Sequence, residues 1–158
     1  MTAEQNSELV RRTFAEAFNR GDLRVIDESV GIGVDHQHPD EASFSDHLKH
    51  VITAMRRAFP DLHFEINQMI AEGEWVSCHS FMTGTHDGEL RAPLLPRNGP
   101  QMIPATGHQV KVAHMHLIRI VDGKTVELWH VMDTLTMLGQ LGLLPGRSAA
   151  QAATGARS

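Results

Sequence analysis

Histidine is the residue type that stands out in this chain, with 11 among 158 residues and no tyrosine at all. Imidazole titrates nearest neutrality and is the commonest metal-ligating side chain, so proton transfer and metal binding are the chemistries to weigh. Two pairs share His-x-His spacing: His36-Gln37-His38 and His114-Met115-His116. On a strand, residues i and i+2 point to one face. Neutral imidazoles placed that way could hold Zn, Cu or Fe, with His79 or His130 completing a set. The competing reading is scattered duty, some histidines hydrogen-bonding in a pocket and others solvated. Cysteine adds little, because a single Cys78 excludes an internal disulfide framework and any Cys-rich zinc module. It sits in an apolar run and reads as a small buried hydrophobe.

The elements that must position these residues follow from periodicity. Val10, Phe14, Ala17 and Phe18 mark one face of a helix over residues 7–19, stopped by Gly21. A short second helix runs from Leu23 to Val30, and residues 34–40 read as irregular. Ser43 or Ser45 can cap a third helix, whose stripe is Leu48, Val51, Ile52, Met55, Ala58 and Phe59 and which Pro60 ends. His47 and His50 lie off the centre of that stripe and read as solvated. From residue 62 the period becomes two, giving strands from Leu62, from Trp75 to Thr85, from Gln109 to Ile120 and from Thr125 to Asp133. Residues 88–107, rich in Gly and Pro, form a long loop that covers something, and Leu135 to Leu144 a short terminal helix. Helices followed by consecutive strands predict an α+β domain. A strongly curved antiparallel sheet closed by the N-terminal helices would make a cone with an interior pocket. The expected domain spans residues 1–145, with residues 146–158 a disordered tail. The net charge of −5 argues against a nucleic-acid groove. No stretch approaches a membrane span or a secretion signal, which with the free cysteine leads us to expect a cytoplasmic protein.

Three segments in order carry a resemblance: Phe59-Pro60-Asp61-Leu62-His63-Phe64-Glu65, then Thr83-Gly84-Thr85-His86-Asp87-Gly88-Glu89, then Arg119 through Asp133 with Gln140-Leu141-Gly142 following. Together they resemble the SnoaL-like polyketide (ester) cyclases of the nuclear transport factor 2-like fold, over residues 7–145. The resemblance implies a cofactor-free and metal-free enzyme that enolises a polyketide-like ester and closes a ring by aldol chemistry, or isomerises it. It implies that an aspartate of the last strand, here Asp133, is the general acid/base. Ring-closing members place a histidine where this chain has Arg119, which cannot shuttle protons. A cofactor-independent hydroxylase, an epoxide-opening hydrolase or a non-catalytic small-molecule binder is therefore the alternative.

The candidate catalytic residues are thus Asp133, His116 and Arg119, and the candidate substrate contacts are His38, Trp129, Met115, Leu117 and His114. Two plain roles compete with these: Asp133 as cap of the terminal helix, and Arg119 as a partner of Glu127 across the hairpin. The hairpin register decides which side chains share a face. A two-residue Asp122-Gly123 turn puts Asp133 with His114 and His116. A three-residue Val121-Asp122-Gly123 turn, the favoured one, puts it with Arg119, Leu117 and Met115 and sets His114 opposite His130. The expected partners are an apolar or polyketide-like small molecule and a second copy of the chain packed through the sheet, with neither nucleic acid nor membrane.

Overall fold

The computed structural model describes residues 1–145, so the expected tail lies outside the described residues. Helix α1 (Ala3–Arg12) starts at a Thr2–Gln5 capping box, in which each side chain accepts from the other residue's backbone N–H. It continues into a π-helical turn, Thr13–Phe18, where the Asn19 N–H reaches back to the Phe14 carbonyl. The Asn19 side chain then bonds both backbone groups of Phe64, donating at 3.0 Å and accepting at 2.7 Å, which ties the end of this helix to the sheet. Helix α2 (Arg24–Ser29) leads directly into strand β1 (Val30–Asp35). Helix α3 (Phe44–Ala58) is capped by Ser43, whose hydroxyl accepts the Asp46 N–H.

Strands β2 (His63–Glu72), β3 (Trp75–Thr85), β6 (Gln109–Val121) and β7 (Lys124–Met132) form the sheet in the order β1-β7-β6-β3-β2. The minute strands β4 (Leu90–Arg91) and β5 (Met102–Ile103) pair within the long loop. Helix α4 (Thr134–Gln140) closes the described chain. The α+β expectation holds, with N-terminal helices packed on a curved sheet. One correction applies: the sheet is mixed, because β1, read from sequence as irregular at its end, adds to β7 in parallel.

The β6–β7 hairpin also differs from the favoured register. Its turn has two residues, Asp122 and Gly123, both at positive φ (47° and 73°), the backbone that a tight hairpin turn needs. An extra residue then enters β7 between Thr125 and Glu127, so His116, not His114, faces His130. Opposite that bulge β1 carries Gly33, where a Cβ would lie 2.0 Å from the Val126 carbonyl oxygen. Glycine is what lets the edge strand approach.

The main core lies between α1, α3 and the inner sheet face, with Phe59, Val76, Cys78, Met82, Val112 and Ile120 almost fully buried. The long loop is anchored by buried His86, whose Nδ1 contacts the Thr106 hydroxyl at 3.0 Å while its backbone bonds His108 and Gly107.

Candidate active site

Between helices, sheet and long loop lies a cavity of about 510 Å³, within the range of pockets that enclose small molecules. Its walls are mainly apolar: Phe14 and Phe18 from the π-helical turn, Met55 from α3 and Phe59 just after it, and Leu94 and Leu95 from the loop. Polar atoms enter chiefly from β1 and its following turn, from β6 and from β7. The inner face of β6 contributes His114 and His116, and β7 contributes His130. Asp35 ends β1, and His38 sits in the turn after it.

Asp35 is the centre of this arrangement. It is only 3% exposed. Its Oδ2 lies 3.1 Å from His47 Nε2, 3.2 Å from His130 Nε2 and 3.3 Å from His38 Nδ1, while Oδ1 accepts the Gln37 N–H at 2.9 Å. Burial alone would raise its pKa, but the hydrogen bonds from His130, His47 and Gln37 outweigh that and hold it well below the usual carboxylate range. An ionised carboxylate only accepts, so each imidazole nitrogen facing it carries a proton. His47 approaches from α3 and is buried, whereas its sequence reading was a solvated position.

The imidazoles form a row. Ring centroids are 5.7 Å apart for His114–His116, 6.2 Å for His116–His130, 6.2 Å for His130–His38 and 4.7 Å for His38–His47. Burial pushes His114 down to about 4 and His116 down to about 3, so both are neutral at pH 7. Phe64 and Phe14 pack edge-on against them at 5.1 and 5.2 Å. His114 Nε2 and His116 Nδ1 are buried and have no hydrogen-bond partner among the described residues. Such orphaned atoms are costly in a closed core.

The other expected site residues go elsewhere. The favoured register grouped Asp133 with Arg119, Leu117 and Met115, and these odd-numbered positions of the hairpin do share a side. That side is the outside of the sheet, because the even-numbered positions of β6, from Val110 to Ile120, form the buried row. Met115, Leu117 and Trp129 are therefore 40–44% exposed and do not line the cavity. Trp129 stacks on His36 at 3.8 Å. Arg119 pairs with Glu127 at 2.8 Å and Glu74 at 2.9 Å. The Asp133 carboxylate accepts from the Thr136 N–H and hydroxyl, at 3.1 and 2.6 Å, and caps α4. Those bonds lower its pKa, which opposes use as a base near neutrality. The two His-x-His pairs also part ways. His114 and His116 share the cavity, but β1 ends at Asp35, so His36 turns outward to Glu127 and His38 inward.

The sequence reading missed Asp35 and His47. A signal for His47 was present, since Phe44, His47, Leu48 and Val51 keep helical spacing once the stripe begins at Phe44. Asp35 offered less: a lone acid closing a short apolar run that contains two glycines.

Comparison with known proteins agrees with this architecture. Residues 8–141 match the family model described as SnoaL-like polyketide cyclase. The aklanonic acid methyl ester cyclase DnrD of Streptomyces peucetius is 30% identical over 142 residues, spanning 85% of this chain and 89% of the relative. Among solved structures, TsrD from Streptomyces laurentii superposes with a TM-score of 0.77 at 23% identity, covering 91% of this chain and 99% of that one. AclR from Streptomyces galilaeus, a candidate hydroxylase, gives 0.73 at 28% identity, covering 99% and 92%.

Proposed function

The chain belongs to the SnoaL-like polyketide cyclase family, and from that premise we propose that it is a cyclase-type enzyme whose general acid/base is His130 held by Asp35. The observation that carries this is the Asp35–His130 contact at 3.2 Å on the wall of a mainly apolar cavity. With Nε2–H donated to Asp35, the ring keeps a basic lone pair on Nδ1. That atom takes a proton from the carbon between two carbonyls of a polyketide-like ester. The Asp35 carboxylate stabilises the resulting imidazolium. The enolate carbon attacks a second carbonyl of the same molecule, and the imidazolium returns its proton to the new alkoxide. His114 Nε2 and His116 Nδ1, neutral and without a hydrogen-bond partner among the described residues, offer hydrogen bonds to the substrate oxygens that gain charge. No cofactor enters this scheme.

Aklanonic acid methyl ester, the substrate named for the DnrD relative, is the first compound to test. Asp35→Asn and His130→Gln should each lower turnover by about 10²–10⁴-fold, whereas Asp133→Asn should leave it within tenfold. Turnover lost in Asp133→Asn and kept in Asp35→Asn would overturn this assignment. A second reading, hydroxylation in the same cavity, draws on the likeness to AclR, and a product one oxygen heavier than the substrate would establish it. The outer sheet face, with Met115, Leu117, Trp129 and Val131 exposed, supports pairing of two copies through the sheet. Sedimentation at monomer mass would refute that pairing. A cytoplasmic location fits the buried free thiol of Cys78.

A further inference from the structure

We propose that Gln37 is a substrate-binding residue, its side-chain amide held at the rim of the cavity so that the NH₂ end donates to a carbonyl oxygen of the bound molecule beside His130. The orientation follows from the way β1 ends. Its parallel pairing with β7 runs to Asp35, opposite Leu128, and the His36 N–H still reaches the Leu128 carbonyl at 2.9 Å. The next rung of a parallel ladder would take the His130 N–H to a β1 carbonyl. The chain turns away instead, with the His38 N–H on the Asp35 carbonyl at 2.9 Å. The Gln37 side chain supplies that rung, its Oε1 accepting the His130 N–H at 2.9 Å. Only the oxygen of an amide can accept, so this bond settles which end of the group is which. Nε2, with its two protons, has no hydrogen-bond partner among the described residues.

Gln37 lines the cavity together with His38 and His130. Its own backbone N–H holds Asp35 Oδ1 at 2.9 Å, so the residue is tied at both its main chain and its side chain. A donor fixed in this way loses little freedom when a ligand arrives. The chemistry of the ligand follows from the charges around the amide. An NH₂ group only donates, so its partner is an acceptor. The lining residues include no Lys or Arg, and the ionised Asp35 lies two positions away in sequence. A carboxylate there would meet repulsion with no counter-charge. A neutral carbonyl oxygen is the acceptor that fits. Gln37 is exposed, so its NH₂ is hydrated before binding and the new bond replaces one to water. The gain is therefore modest.

This inference rests on the reading of the cavity as the substrate site, and not on His130 as the base. Its test is binding of aklanonic acid methyl ester by equilibrium dialysis, counting ester and any product together. The buffer contains about 0.5 M salt, which screens an added surface charge. Gln37→Glu keeps an oxygen for the His130 N–H but has no NH₂, and Gln37→Met has neither. Both should bind about 3–10-fold more weakly than the wild type. His50→Ala, an exposed position on α3, should bind as the wild type does. Circular dichroism reports whether each variant folds. In NMR spectra of the isotope-labelled protein, the Gln37 NH₂ signals, identified by their loss in Gln37→Glu, should move when the ester is added. A purely structural anchor would instead leave Gln37→Glu with wild-type affinity and weaken only Gln37→Met. That result, an unmoved NH₂ signal at saturation, or failure of the wild type to bind the ester overturns the proposal. Unchanged affinity in Gln37→Glu with turnover lost in Asp35→Asn would sink this inference alone. Weakened binding in Gln37→Glu with full turnover in Asp35→Asn would sink the acid/base reading alone.

Discussion

The buried histidine pair on β6 makes a quantitative demand on stability. His114 and His116 are 6% and 9% exposed and are lowered to about 4 and about 3 by burial. In the unfolded chain each titrates near ~6.5. A group with a lowered folded pKa binds protons more readily when unfolded. Its stabilising contribution is therefore complete above the unfolded value and drains away as pH falls toward the folded one. Between pH 7.5 and pH 5 each histidine should withdraw roughly 2 kcal/mol, and the pair roughly 4 kcal/mol. This is a large share of the ~5–15 kcal/mol that usually separates folded from unfolded domains. The test compares urea unfolding of the wild type and of the His114→Leu/His116→Leu double variant at both pH values. The double variant removes these two rings, so the difference between the proteins isolates what they contribute. The wild type should lose several kcal/mol more than the variant on acidification. The variant should also gain at neutral pH from losing two buried nitrogens that have no hydrogen-bond partner among the described residues. Equal pH slopes in the two proteins would refute the placement of both rings in a dry environment.

Other positions give simpler tests. Cys78 is 1% exposed and its thiol is raised to about 11; a disulfide reagent should label it only on unfolding, and rapid stoichiometric labelling of the native protein would contradict its burial. Gly33→Ala drives a Cβ to 2.0 Å from the Val126 carbonyl oxygen; it should cost about 1–3 kcal/mol in chemical denaturation and reduce turnover by displacing β1, and a wild-type midpoint would count against the β1–β7 contact. Arg119→Ala removes ion pairs and a stacking contact with Trp75, all outside the cavity, so turnover should stay within tenfold; a greater loss would return Arg119 to the catalytic set.

Much of the fold was legible because helices and strands impose different periods. The stripe from Leu48 to Phe59 and the alternation from Trp75 to Thr85 each gave the right element. Strand β1 escaped because two glycines and a parallel edge pairing leave little alternation in Val30-Gly31-Ile32-Gly33-Val34-Asp35. Periodicity grouped Asp133 with Arg119, Leu117 and Met115, but which side of a sheet faces the cavity depends on what packs there. Trp129, Leu117 and Met115 are as apolar as the inner row, so composition did not separate the faces. Asp35, His38, His47 and His130 meet only through β1, its turn, α3 and β7. No local spacing encodes a cluster drawn from four such places.

The cavity of about 510 Å³ has one more consequence. It sits where a domain of this size would otherwise place side chains, and Phe14, Met55, Phe59, Phe64 and Met82 all border it. The fold is therefore a shell whose lining lacks contacts on one side. A molecule that fits supplies those contacts and completes the core. Binding then appears as resistance to unfolding that grows with the logarithm of ligand concentration. The hollow thus makes the protein a reporter of its own substrate: compounds can be ranked by how far they raise its melting temperature, before any reaction is known.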